Sequence, residues 1–122
     1  MTVDTFRAMA IQAIARKVVP EDLADLLGGI MQIDDRYSLI RTEVLKRIYE
    51  RRLRRQSPGG YRAREMERLV RFLAEYESDE VRLISIRLND GRSFLALVDA
   101  LMNKLIFWSG MWVLEPDVDA QG

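Results

Sequence analysis

The sequence predicts an α+β fold, with about four N-terminal helices packed on a small C-terminal antiparallel β-sheet. Two of the helices are expected to form an αα-hairpin with a basic tip. Three observations carry this. Apolar residues recur at helical spacing through most of the first 77 residues. The texture turns β-branched and alternating from Val81 to Leu88. Asn89-Asp90-Gly91 then supplies a hairpin turn. A chain of 122 residues suits one domain over 1–122, mainly helical over 1–77 and mainly β over 80–115, with an acidic tail at 116–122.

The first helix is expected over residues 4–19, capped by Asp4, with Phe6, Met9, Ala10, Ala13, Ile14 and Val18 on one face. Pro20 ends it and opens a second helix, where Glu21 and Asp22 suit the positive end of the dipole. Leu23, Leu26, Leu27, Ile30 and Met31 form that helix's apolar face, and Gly28-Gly29 stops or bends it. A third helix is expected from an Asp34/Asp35 cap to about Arg55, on a core stripe of Tyr37, Ile40, Val44 and Ile48. Its last turns, Arg51 to Arg55, run past the apolar stripe and are expected to project into water or toward a partner.

Residues 56–60, Gln-Ser-Pro-Gly-Gly, read as a loop. A fourth helix over 61–77 follows, with Met66, Leu69, Val70, Leu73 and Tyr76 inward, and the short link makes an antiparallel hairpin. Phe94 to Val98 reads as the return strand after Asn89-Asp90-Gly91, with a fifth helix across 94–107 as the alternative. Phe107 to Leu114 reads as a strand or a second hairpin around Ser109-Gly110, and Trp108 and Trp112 are expected in the core.

Charge is the strongest departure from randomness. The formal net charge is zero. Yet residues 1–35 carry three cations against six anions, net −3, and residues 72–122 carry four against nine, net −5. Between them, residues 36–71 carry twelve cations against four anions, net +8, and eleven of the twelve are Arg. Arginine makes bidentate contacts to carboxylates and phosphates, so this choice fits recognition of an anionic surface. Arg51, Arg52, Arg54, Arg55, Arg62, Arg64 and Arg68 are the candidate partner-binding residues, with Arg71 on the outer face of the fourth helix. Self-neutralisation is the competing expectation. Glu43–Arg47, Glu50–Arg54 and Glu67–Arg71 are i, i+4 pairs, while Arg51–Arg55 and Arg64–Arg68 repel. The acidic flanks offer a further intramolecular cover.

The composition speaks against catalysis. There is no His and no Cys, which removes the neutral-pH base, the thiolate nucleophile and zinc–thiolate sites. Asp34/Asp35 and Asp79/Glu80 are carboxylate pairs, but both stand where helix caps and turns favour acids. No cofactor and no metal site is expected. No signal peptide or membrane-spanning run is seen, so a cytoplasmic protein is expected.

Leu88-Asn89-Asp90-Gly91-Arg92 followed by Asp99-Ala100-Leu101-Met102-Asn103 resembles the first motif of Sm-like RNA-binding proteins. In that family the second element helps hold RNA bases. Here the two parts stand about three residues too close, the mid-strand Gly is missing, and the second motif's Arg-Gly pair is absent. No RNA-contacting role passes to Asp99 or Asn103.

The expected function is therefore non-catalytic interaction, as a small adaptor, inhibitor, chaperone or assembly subunit. Its basic hairpin docks an acidic protein surface; DNA or RNA phosphates are the alternative target, and a homo-oligomer is compatible with either.

Overall fold

A computed structural model describes residues 1–35 and 39–109. Tyr37, Trp112 and the acidic tail lie outside them. The described residues form the expected α+β fold, with four α-helices and a five-stranded antiparallel sheet. The elements are α1 (Val3–Ala15), α2 (Leu23–Leu26), β1 (Ile30–Asp34), β2 (Ile40–Arg41), α3 (Thr42–Leu53), α4 (Tyr61–Glu75), β3 (Glu80–Leu88), β4 (Ser93–Asp99) and β5 (Leu105–Ser109).

The sheet runs β1-β3-β4-β5, and β2 shares the outer side of β3 with β1. Ile33 lies opposite Ile86, Ile40 opposite Val81, and Ile84 opposite Ala96. Alternating side chains serve two cores because helices cover both faces. Ile84, Ile86, Leu88, Phe94, Ala96 and Val98 pack under α1 and α2, with Phe6, Ala10 and Leu23. Val81, Leu95, Leu97 and Phe107 pack under the α3–α4 hairpin, with Leu45, Tyr49, Met66 and Leu69. Phe94 to Val98 is buried at every residue, which explains an unbroken apolar run in a strand. The helix across 94–107 does not form.

Several expected boundaries move. Thr2, not Asp4, caps α1: its Oγ1 accepts from the Thr5 backbone N–H at 3.1 Å. The second helix is one turn long, passes through a 3₁₀ turn at Leu27–Gly29, and hands Ile30 and Met31 to a strand. Asp34 lies in β1 rather than capping α3. The buried stripe of α3 is Thr42, Leu45, Tyr49 and Arg52; Val44 is exposed and Ile40 belongs to β2. The turn before β5 runs from Asp99 to Lys104, closed by the Asp99 N–H on the Lys104 carbonyl. Trp108 is in the core, stacked on Phe94 at a centroid distance of 5.0 Å.

Candidate functional site

The hairpin sets its arginines by helical period. On α3, Arg47, Arg51 and Arg54 are spaced four and three and are exposed, opposite the buried stripe of Leu45, Tyr49 and Arg52. On α4, Arg64, Arg68 and Arg71 repeat that spacing opposite Met66, Leu69 and Leu73. Each helix thus carries an arginine stripe away from its buried residues; on α4 the middle member, Arg68, folds onto β5, while Arg64 and Arg71 are exposed on either side of it. The basic residues extend along both helices as well as around the tip. Arg47 and Arg71 are among them, and their place four before Arg51 and seven after Arg64 is the signal that reveals them.

Of the expected self-neutralising pairs, Glu43–Arg47 forms at 3.2 Å, with Lys46 on the same carboxylate at 3.3 Å. The other two do not form. The side chains of Arg51, Arg54, Arg64 and Arg71 make no hydrogen bond or ion pair among the described residues, although Glu50 stands one turn from Arg54 and Glu67 one turn from Arg64 and Arg71. Arg55 is exposed but engaged, and Arg62 is half-buried and engaged.

Two of the expected binding residues make close contacts within the fold. Arg52 is only 8% exposed: its guanidinium lies over the Tyr49 ring at 5.0 Å and donates to Tyr49 Oη at 3.2 Å. Burial lowers its pKa, while the neighbouring Tyr49 opposes that, and burial pushes the Tyr49 phenol well above its usual value. A buried guanidinium is tolerated here because an aromatic face and a phenol oxygen receive it. Arg68 grips Glu65 with two hydrogen bonds of 3.2 Å, donates to the Trp108 carbonyl, and lies 4.3 Å from the Phe107 ring centroid. It clamps α4 to β5.

That clamp lines a cleft of about 710 Å³ together with Tyr61, Arg92, Phe94 and Trp108. Burial acts to raise the Glu65 carboxyl, but hydrogen bonds from Arg68 and Ser109 outweigh it and hold the group below its usual value. A general acid working near neutral pH needs the opposite shift. Arg92 is held by Asp90 at 2.7 Å and lies over Phe94. Among the described residues no group of three or more Asp or Glu converges as a metal site. No helix among them is long and apolar enough to cross a membrane.

The residues behind the Sm-like resemblance build turns. Gly91 has φ +91° at the β3–β4 hairpin, a conformation glycine adopts without strain. Asp99 Oδ1 accepts from the backbone N–H groups of Leu101 and Met102 at 2.9 and 2.8 Å, and Asn103 takes a left-handed φ of 52°. The chain matches no known protein family, no curated protein and no solved structure.

Proposed function

We propose that this chain is a non-catalytic interaction protein, of the adaptor or assembly-subunit kind. It docks an acidic protein surface on the outer arginine face of the α3–α4 hairpin. One observation carries the reading: the Arg51, Arg54, Arg64 and Arg71 side chains are exposed and make no hydrogen bond or ion pair among the described residues, although Arg54, Arg64 and Arg71 each have a glutamate one turn away. Exposed arginines held by no internal ion pair contribute little to folding and are free to form bidentate bonds with a partner. Val44, 44% exposed three residues before Arg47, gives the same face an apolar contact suited to a protein partner. The reading takes the chain to be cytoplasmic. Nucleic-acid phosphates are the alternative target of the same arginines, favoured by the near-exclusive use of Arg over Lys in this segment.

Titration against labelled duplex DNA, RNA and an acidic peptide at several salt concentrations separates the two. With four to six arginines on duplex phosphates, log affinity should fall with log salt at a slope of roughly −4 to −5. The protein-docking reading expects weak DNA binding near physiological salt, and peptide binding that is lost in Arg51→Gln/Arg54→Gln/Arg64→Gln. Tight DNA binding with the steep slope would replace it by the alternative.

A further inference from the structure

Charge along α4 changes sign from one end to the other. Arg64, Arg71 and Glu75 follow one another along its exposed side, with Glu77 just beyond the helix. Arg64 and Glu75 are eleven residues apart, about 16 Å along a helix axis. That exceeds the Debye length of about 8 Å at physiological salt, so Arg64 does not neutralise Glu75, and Arg71, one turn before Glu75, makes no ion pair with it. Glu75 and Glu77 are exposed and make no ion pair among the described residues.

At the acidic end a cleft of about 580 Å³ opens between α4 and the β4–β5 turn. Phe72, Tyr76, Leu101 and Met102 line it together with Glu75 and Glu77, and no cation is among the lining residues. Leu101 is 86% and Met102 61% exposed. The turn that carries them is fixed by the Asp99 carboxylate receiving their backbone N–H groups, an arrangement that makes no demand on the two side chains. The fold therefore does not require apolar residues there. Two adjacent apolar side chains held out on a rigid turn and bordered by unpaired acids form a contact surface.

We propose that this cleft receives the arginine face of a second copy of the chain, so that copies associate head to tail. The inference rests on the arginine face being a docking surface, and it names the partner. Complementarity selects the occupant. The α3 stripe offers Val44 with Arg51 and Arg54, Arg47 there being paired to Glu43, one apolar contact beside two cations held by no internal ion pair; the cleft offers Leu101 and Met102 together with Glu75 and Glu77. Two different patches make the contact heterologous, which builds rings or open chains rather than a closed two-fold pair.

Sedimentation velocity on the full chain, up to about 1 mM and across a salt series, tests this. The expected result is a mass that rises with concentration at low salt and falls back to monomer as salt is added. Arg51→Gln/Arg54→Gln and Leu101→Ser/Met102→Ser should each be monomeric, with unchanged circular dichroism because all four side chains are exposed. Mixed, they should form a 1:1 dimer, since each retains the half that the other lacks. A wild-type monomer at every concentration that still binds an acidic peptide through the arginines overturns head-to-tail association and leaves the docking face standing. A monomer that binds no polyanion removes both. Self-association unaffected by the Leu101/Met102 change, or no dimer on mixing, assigns the contact to another surface and also overturns the proposal.

Discussion

The two helical layers cover opposite faces of one sheet with similar inner surfaces and differ outside. Under α1 and α2, Phe6, Ala10 and Leu23 are fully buried; under α3 and α4, Leu45, Tyr49 and Leu69 are. On the outer surfaces, α1 leaves Ile11 exposed and carries one cation, Arg7, while α3 and α4 carry double arginine stripes. Packing against the sheet constrains the inward face alone, so the outward face is where the layers can diverge in role. Arginine count is therefore a poor guide to function within the hairpin itself. Arg52 and Arg54 are two residues apart, and one is core while the other is surface.

The largest effects are expected in the two cores. Phe6→Ala should cost about 3–5 kcal/mol and Leu69→Ala about 2–5 kcal/mol. Ile48→Ala and Ile40→Ala, half-buried at the margins of the second core, should cost less than Leu69→Ala in the same denaturant melts. Equal costs for Leu69 and Ile48 would mean that the inner face of the hairpin is wrongly assigned.

Next comes the pair that separates core from surface on one helix. Arg52→Ala should destabilise by about 1–3 kcal/mol, because it strips the donor from a buried phenol and removes a packed guanidinium. Arg54→Ala should stay within about ±0.5 kcal/mol. The binding variants therefore leave Arg52 in place: a variant changing it as well would confound lost docking with lost stability.

Smaller still is the graded loss in the arginine face. Should duplex DNA bind, each of Arg51→Gln, Arg54→Gln and Arg64→Gln should lower the salt slope by about one unit without changing sequence preference. Arg68→Gln should instead loosen the clamp on Trp108 and Glu65, and show in thermal melts. A slope that responds to Arg68 and ignores Arg51 would reverse the division drawn here.

The smallest effect concerns pH. The Asp99 carboxyl is held below its usual value, first by the Met102 N–H and then by the Tyr76 hydroxyl at 2.7 Å. Burial, and then that hydrogen bond, push the Tyr76 phenol up to about 12. A carboxyl lowered in the folded state stabilises it fully above the unfolded value of about 3.9, and that stabilisation is lost as pH falls through the folded value. Wild type should therefore melt above Asp99→Asn at pH 7, and the gap should narrow as pH falls below about 4. A gap unchanged at pH 3 would show that the charge on Asp99 does not hold the turn.

Much of the fold could be read from the residues, and its misreadings have physical causes. The β3–β4 hairpin was legible because alternation and a glycine turn agreed. Strand β1 was hidden by the irregularity between Ile30 and Gln32, which breaks period two inside five residues, and by the leucine-rich turn before it. The α3 stripe was misplaced by one position because its true members include Thr42 and Arg52. Thr42 Oγ1 donates to the Ser78 carbonyl at 2.8 Å, and an apolar pattern does not register a buried polar residue satisfied in this way. The arginine face was half legible: composition found the cluster, but only three-dimensional packing separated Arg52 and Arg68 from their neighbours. The turn carrying Leu101 and Met102 was missed because its side chains look like core, although Asp99 and Asn103 bracket it with turn chemistry.

Strand β4 sends Phe94, Ala96 and Val98 into one core and Leu95 and Leu97 into the other. Neither helical layer can therefore detach without exposing apolar surface on a strand that the other still holds. The consequence is kinetic as well as structural. Amide hydrogens of Leu95, Ala96 and Leu97 should exchange with solvent only through opening of the whole molecule, while those in the β4–β5 turn exchange through local fluctuations. Exchange from the two layers should then show one shared global limit, so a destabilising change beneath α1 should speed exchange from buried amides of α4 on the far side of the sheet.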